Sequence, residues 1–348
     1  ALIRMKARGK GKPQWLLMKS KDEFAEAGAR PEPAAKPKPI PVAKARPTPA
    51  TRSATVSEEV ELTHPDRVLF PDAGLTKGDV FAYYRMVADR LLPFLKDRPI
   101  TLERLPNGLA ESGPHFWQKN TPAAYPDWIP RVELETETGK PVSYALVNDE
   151  ATLLYLVNQG TLTFHPWLSR VGSLDRPDFV LFDLDPGPAT FRDAVAIAKG
   201  VKAALDEEGV ESFVKTSGKT GLHVFTPWAR PGGFDEARGW ALEIAGRVAG
   251  SLPDQATVDI RKAKRGGRVY IDVLQNARGH HAVPPYVLRA VSGATVSTPL
   301  EWREVTDKLD PAAFTLKKVL ARLARQKADP MAGFAKATGG TRKTARVG

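Results

Sequence analysis

Three aspartates interrupt stretches that otherwise read as apolar strands. In Pro177-Asp-Phe-Val-Leu-Phe-Asp-Leu-Asp-Pro-Gly187, alternation puts Phe179, Leu181, Asp183 and Asp185 on one face and Val180, Phe182 and Leu184 on the other. Side chains two apart along a strand are separated by roughly 6.6 Å, which lets two carboxylates bracket a pair of divalent ions about 3.5–4 Å apart. Pro186-Gly187 ends the run and leaves both acids at the strand's C-terminal end, where ligands commonly bind. Asp272 shares a strand face with Tyr270 and Leu274 in Arg268-Val-Tyr-Ile-Asp-Val-Leu-Gln-Asn276. Two acids on one strand and one on another make a donor set with which phosphoryl-transfer enzymes hold two metals. The competing reading is an Asp-Pro turn with Asp183 facing solvent. The two differ in whether a cation or donors offset the repulsion and lost solvation of clustered carboxylates.

Phosphate-binding chemistry has two candidate sites. Lys215-Thr-Ser-Gly-Lys-Thr-Gly-Leu-His223 is a Gly-rich loop between two short strands. It is not a P-loop, because Phe213 stands where the first glycine of G-x-x-x-x-G-K-[ST] is needed. The Ser217 hydroxyl, the Lys219 ammonium, His223 and backbone N–H groups freed by Gly218 and Gly221 suit a phosphate, although an ordinary hairpin explains the same residues. Asp259-Ile-Arg-Lys-Ala-Lys-Arg-Gly-Gly-Arg268 sets cations, Arg265 among them, directly before the Asp272 strand, as suits a polyphosphate beside a metal; it also reads as a solvated loop. His115-Phe-Trp-Gln-Lys119 offers aromatic faces beside a cation, as single-stranded or templating bases require, whereas His165-Pro-Trp reads better as core.

The elements that must position these groups are legible. Lys77 to Phe94 reads as a helix N-capped by Thr76, with Asp79 in the first turn. Ala151–Val157 and Phe191–Leu205 are also helical, the second capped by Thr190 and ended near Gly209. Strands are predicted at Asp178–Leu184, Ser212–Thr216, Leu222–Thr226 and Arg268–Leu274, a mixture pointing to an α+β fold with antiparallel pairs.

With 348 residues and 42% hydrophobic composition, the chain is long enough for a sizeable core. It has no cysteine, which excludes disulfides and thiolate metal sites and makes a reducing cytoplasm the expected compartment. No run of about 18 apolar residues occurs, so no membrane span is expected. The net charge of +11 is uneven: residues 1–54 carry 13 Lys/Arg against 4 acids, and residues 311–348 carry 9 against 1. Basic ends can hold a protein near a polyanion while an acidic centre keeps carboxylates for metal, or they can merely aid solubility. Seven prolines between Arg30 and Thr51 make that segment an extended linker, and the last 18 or so residues read as disordered.

Together the segments resemble the primase-polymerase domain of bacterial DNA ligase D, a member of the archaeo-eukaryotic primase superfamily that works in non-homologous end joining. The resemblance runs over about residues 57–315. It rests on Leu62-Thr-His-Pro-Asp-Arg-Val-Leu-Phe-Pro71, Leu75-Thr-Lys-Gly-Asp79, Phe116-Trp-Gln-Lys119, Thr163-Phe-His-Pro-Trp167 and Asp183-Leu-Asp-Pro-Gly187. It continues in Ser217-Gly-Lys-Thr-Gly-Leu-His223, Ile271-Asp-Val-Leu-Gln-Asn-Ala-Arg-Gly279 and Pro285-Tyr-Val-Leu-Arg289. It implies a primase-like core of mixed and antiparallel sheet with flanking helices. It also implies metal-ligand roles for Asp183, Asp185 and Asp272, and triphosphate contacts from Ser217, His223, Arg265 and Arg289, with Lys219 a looser candidate. Arg67 and Lys77 would form a pocket for a 5′-phosphate at a gap or break, and Phe116 and Trp117 would meet the template. Arg67 stands where some members carry lysine, which keeps the charge and adds a fork.

Residues 1–29, ending in Trp15-Leu-Leu-Met-Lys-Ser-Lys-Asp-Glu-Phe24, look like the close of a ligase D 3′-phosphoesterase domain; residues 30–56 are linker, and 316–348 a basic helical end and tail. The resemblance implies a templated nucleotidyltransferase using two Mn²⁺ or Mg²⁺ ions to add nucleotides, ribonucleotides by preference, at DNA gaps and double-strand breaks. It implies a Ku-type end-binding protein and a DNA ligase as partners, and a bacterial, nucleoid-associated location. A two-metal phosphoesterase and a non-catalytic end-binding module are the rival readings.

Overall fold

The computed structural model describes residues 60–109, 113–135 and 139–339, and the backbone of three short strands nearer the N-terminus. The chain divides into two units, Ala1–Ala43 and Lys44–Gly348. In the first, β1 (Leu2–Arg4) pairs antiparallel with β2 (Trp15–Leu17). The rest of the expected remnant, the linker apart from β3 (Arg46–Pro47), and the tail from residue 340 lie outside the described residues.

After β3, the second unit continues with the hairpin β4 (Val68–Phe70) and β5 (Leu75–Thr76), which leads into α1 (Lys77–Leu95). Thr76 caps α1 through a reciprocal pair: its hydroxyl accepts the Asp79 N–H, and the Asp79 carboxylate accepts the Thr76 N–H. One sheet has the order β10 (Thr161–Pro166), β6 (Ile100–Arg104), β9 (Pro141–Ala145), β8 (Arg131–Glu135), β3, with β7 (Phe116–Gln118) also pairing β6. α2 (Glu150–Asn158) runs just before β10, within one residue of the expected helix at either end.

The other sheet is ordered β14 (Ala256–Thr257), β15 (Val269–Asp272), β11 (Phe179–Asp185), β13 (Leu222–Pro227), β12 (Phe213–Thr216), β16 (Pro299–Leu300). Every pair in it is antiparallel except β14 with β15. Its helices are α3 (Phe191–Glu207), capped by Thr190, and α4 (Phe234–Ser251). α4 had no counterpart among the expected helices. Its buried face is largely Ala237, Ala241 and Ala245 with Ile244 and Val248, a pattern of small residues that hydropathy weighs lightly.

The alternation along β11 is realised on both sides. Val180, Phe182 and Leu184 join an apolar cluster with α3 and α4, while Phe179 and Leu181 join a second one with α1, Phe164 and Phe334. A strand buried on both faces cannot shift register without moving every side chain to the wrong cluster, so the position of its terminal acids is tightly specified. The packed core also continues past residue 315, where the catalytic segment was expected to end. α5 (Leu316–Arg325) buries Leu316 and Val319. α6 (Ala332–Gly339) inserts Phe334, 2% exposed, against the rings of Phe94, Phe179, Phe213 and Phe225 at 5.4–5.9 Å.

Candidate active site

Strand pairing alone assembles the centre of the site. Asp183 lies directly opposite Asp272 on one side and His223 on the other, and His223 lies opposite Lys215. Paired residues share a sheet face, so Asp272, Asp183, His223 and Lys215 form one row across four adjacent strands. The row is electrically graded. Burial alone would raise the Asp183 carboxyl, but His223, whose Nε2 is 3.4 Å from Asp183 Oδ1, with Lys215 and Arg289 behind it, holds it below its ordinary value. On Asp272 the cation's share is smaller: Arg265, across the Tyr270 ring, and the Tyr270 hydroxyl lower it only in part. Burial, then the Asp183 charge, pushes its carboxyl up despite an N–H donated by Leu274 at 2.8 Å.

Asp185 ends β11 opposite Tyr270, more exposed than the other two acids. Its Oδ1 accepts the Gly187 N–H at 3.1 Å, the Asp-Pro-Gly turn foreseen from sequence, so the turn and the acid cluster coexist. Among the described residues no three His, Asp or Glu side chains converge as a ready-made metal site. What the row offers is a pair of hard oxygen donors facing each other at a like-charge cost that a divalent cation would remove. This donor chemistry fits Mg²⁺ or Mn²⁺.

The Gly-rich loop is built differently from the expected cradle. The Ser217 hydroxyl accepts the Lys219 N–H at 3.1 Å and the Gly221 N–H at 3.0 Å, so the Gly221 N–H is committed within the loop rather than free for a ligand. The glycines serve close approach. A Cβ on Gly221 would lie 2.3 Å from the Leu184 carbonyl oxygen, and Gly218, at φ +73°, has Arg289 Cγ and the Ser297 nitrogen within 2.8 Å of where its Cβ would be. The loop is thereby held against the end of β11, with the Ser217 proton left to donate. Lys219 is exposed beside it. Arg289, buried, donates to the Ser217 carbonyl at 2.7 Å and leaves its Nε without a partner. Arg265 lies over the Tyr270 ring at 3.8 Å, at the Asp185 edge of the row, and donates to the Asp259 and Ile260 carbonyls.

The residues expected to meet DNA lie on the hairpin, α1 and the other sheet. Lys77, 5% exposed in the first turn of α1, donates to the Thr63 carbonyl at 2.8 Å and the Thr63 hydroxyl at 3.0 Å. Burial, then the charge of Arg67, lowers it to about 8. Arg67 is exposed and reaches the Pro106 carbonyl at 3.2 Å and Asn107 Oδ1 at 3.4 Å. The structure therefore brings the two together as neighbouring cations beside a helix start whose first N–H groups are already committed, to the Arg67 and Pro65 carbonyls and the Thr76 hydroxyl, so the charges rather than the helix end would attract an anion. Phe116 and Trp117 on β7 remain 38% and 50% exposed, and Arg104 sits over the Phe116 ring at 5.0 Å.

Several residues here were not foreseen. Lys215 has no role in the sequence reading beyond opening the Gly-rich loop. Glu103, opposite both Trp117 and Thr163 in the sheet, is buried; burial would raise it, but His165, Thr163 and Arg289 hold it down to about 2. His165, read as core, is buried but polar in role. Its Nε2 is 3.6 Å from Glu103 and its ring 4.6 Å from Trp117 and 5.1 Å from His281. Burial, then His165 and Lys119, lowers His281 to about 3. The signal available was Thr-Phe-His-Pro-Trp itself, a histidine alternating with threonine on a strand whose opposite residues are not local in sequence.

The comparisons with known proteins agree with this geometry. The family model described as LigD, primase-polymerase domain matches residues 76–331. The multifunctional non-homologous end joining protein LigD of Mycolicibacterium smegmatis is 33% identical over 253 residues, 72% of this chain and 33% of that protein. The bifunctional LigD of Bacillus subtilis is 34% identical over 277 residues, 79% and 44% of the two chains. The chain thus spans about a third to under half of the length of these relatives. Among solved structures, the polymerase domain from Mycobacterium tuberculosis ligase D in complex with DNA superposes with a TM-score of 0.74 at 31% identity, covering 80% of this chain and 98% of that one. With a family match over most of the described core and a solved domain covered almost end to end, the chain belongs to the LigD primase-polymerase domain family.

Proposed function

We propose that this chain is a metal-dependent nucleotidyltransferase that adds nucleotides, directed by a template and with ribonucleotides preferred, to 3′-hydroxyls at gaps and double-strand breaks in DNA. The observation that carries the reading is the row Asp272, Asp183, His223, Lys215, with Arg289 and the Ser217 hydroxyl beside it. Asp183, Asp185 and Asp272 would hold two Mg²⁺ or Mn²⁺ ions, which when bound acidify the 3′-hydroxyl and neutralise charge on the triphosphate. Ser217 and His223 donate hydrogen bonds to the phosphates, Arg289 and Arg265 bring guanidinium charge, and Lys219 closes on the exposed side. No covalent intermediate on the protein is needed.

Arg67 and Lys77 bind the 5′-phosphate on the far side of the gap. Phe116 and Trp117 stack on the template, sequence-tolerantly, since every base offers a π-face. The solved neighbour was obtained in complex with DNA, and the LigD relatives are named for non-homologous end joining. On that basis the partners are a Ku-type end-binding protein and a ligase activity, in a bacterial cytoplasm at the nucleoid. No helix among the described residues is long and apolar enough to cross a membrane. Incubating a 5′-phosphorylated gapped duplex with each NTP and dNTP under Mg²⁺ or Mn²⁺ tests the reading. Elongation set by the template base supports it, whereas shortening, or retention without chemistry, replaces it with a phosphoesterase or a binding module.

A further inference from the structure

β15 reaches the active-site row with little backbone to hold it. It pairs β11 at three positions, Tyr270 with Asp185, Ile271 with Leu184 and Asp272 with Asp183, and its other neighbour β14 pairs only Val269 and Tyr270. Asp272 is therefore the last rung of its ladder, and strand ends are where ladders fray. Continued by two residues, the register would set Leu274 opposite Leu181. The chain turns away instead: the Leu274 N–H is donated to Asp272 Oδ1 at 2.8 Å, which orients that carboxylate and takes Leu274 out of the ladder.

The Asn276 side chain stands in for it. Its Oδ1 accepts the Leu181 N–H at 2.9 Å and its Nδ2 donates to the Leu181 carbonyl at 2.8 Å, the two bonds that a paired strand residue would exchange. Nδ2 also donates to the Val273 carbonyl at 2.8 Å, and the Asn276 N–H bonds that carbonyl at 3.1 Å, closing the turn. The reverse amide orientation would set N–H against N–H and oxygen against two carbonyls, so the partners fix the donor sense. Asn276 is 0% exposed, and both of its amide protons are used. We propose that Asn276 is a positioning residue for metal binding: its amide is a surrogate rung that holds the end of β15 on β11, so that Asp272 stays opposite Asp183 while the Leu274 N–H orients its carboxylate. The role rests on the reading of these two aspartates as metal ligands. Ile271 and Val273 anchor the same segment in an apolar cluster, but apolar contact is non-directional, whereas a pair of hydrogen bonds fixes distance and rotation together. Without the amide, the Leu181 N–H and carbonyl would be left unpaired inside a buried strand, or would draw Leu274 back into the ladder and away from Asp272. Either outcome displaces the carboxylate.

The test is a titration of the full chain with Mn²⁺, followed by the EPR signal of the free ion, the site being identified by loss of binding in Asp272→Asn. Asn276→Ala should weaken Mn²⁺ binding by about 10- to 100-fold, as removal of a group that orients a ligand typically does, and nucleotide addition should recover as Mn²⁺ is raised. Ile244→Ala removes a buried side chain from α4 and lowers Tm without touching the rung, so its Mn²⁺ affinity should match the wild type. Should the alanine variant not fold, Asn276→Gln decides: it keeps the amide but moves it one methylene outward, and should weaken Mn²⁺ binding in the same sense. Wild-type Mn²⁺ affinity in the residue 276 variants, or an equal loss in Ile244→Ala, overturns the proposal and leaves the metal reading standing. Mn²⁺ binding that Asp272→Asn leaves intact removes the metal reading of the row, and the positioning role with it.

Discussion

The carboxylate row and the Arg67–Lys77 corner both gather like charges, yet they are built by opposite means. The row is made by strand register: four residues from four strands share a line because their backbones pair, and each strand is locked by apolar side chains on neighbouring positions. The corner is made by a hairpin and a helix start, where Lys77 is tied to Thr63 and Arg67 leans on the 106–107 turn. The row graduates from acid to base and is internally neutralised on its His223 side, with Asp272, raised by burial, the less compensated acid. The corner has two cations and no acid between them. On the function proposed above, chemistry that requires sub-ångström placement is set on paired backbone, whereas recognition of a DNA end is set at a turn and a helix start.

The sharpest way to break the comparison is Asp183→Ala. It should reduce nucleotide addition by about a thousandfold or more, equivalent to about 4 kcal/mol of lost transition-state stabilisation, while affinity for gapped DNA stays within about twofold. Single-turnover primer extension and fluorescence anisotropy measure the two, and extension near the wild-type rate would end the metal assignment. The same row should show its repulsion in the absence of metal. Asp272 has a folded-state value raised above the ordinary 3.8, so the stability its protonated form contributes is present below that value and is lost as pH rises through the raised one. Asp272→Asn in EDTA should therefore flatten the fall in Tm above about pH 4 by calorimetry. An unchanged pH profile would mean that Asp272 is not raised in the folded protein.

Next in size is the corner. A 5′-phosphate bound by two cations gains about 1.5–3 kcal/mol, a factor of about 10 to 150. Arg67→Ala with Lys77→Ala should erase the preference for 5′-phosphorylated over 5′-hydroxyl gaps and leave extension on a simple primer-template largely in place. Equal losses on both gaps would make the corner a general backbone contact. Trp117→Ala should raise the KM for primer-template by about 5- to 150-fold, the loss of one stacked base at about 1–3 kcal/mol, with the KM for nucleotide moving less. A change confined to the nucleotide KM would place the ring over the incoming base instead.

The smallest expected effect is a pH dependence that only the corner should show. Free Lys77 titrates at about 8, so the 5′-phosphate preference should hold below that pH and weaken a fewfold by pH 9 as the amine loses its charge. Lys77→Arg should abolish this slope, since a guanidinium stays charged. Affinity ratios for the two gaps at pH 7 and 9 measure it, and a slope retained in the arginine variant would assign it to another group.

Much of this molecule was legible in one dimension because the responsible forces act over a few residues. Thr76 and Thr190 cap their helices through bonds three positions away, and apolar alternation fixes which side chains of β11 and β15 share a face. The loop glycines and the acids at strand ends were equally visible as residue types. α4 escaped because its buried stripe is mostly alanine, and the ring of Phe334 escaped because its four aromatic neighbours come from four separate elements.

Alternation says which face of a strand a side chain occupies, but not which strand lies beside it. That neighbour is chosen by packing between distant segments, and only the resulting register turned Asp183, Asp272, His223 and an unremarked lysine into one line. The same limit hid Glu103 and His165, whose meaning lies in what β6, β7 and β10 place opposite them. It also concealed that the Ser217 hydroxyl takes up loop N–H groups that the sequence seemed to leave for a ligand. The amino-acid sequence determined the chemical inventory and its local presentation. The tertiary structure decided which charges face one another, because electrostatic and hydrogen-bond energies depend on separations of a few ångströms that only long-range packing sets.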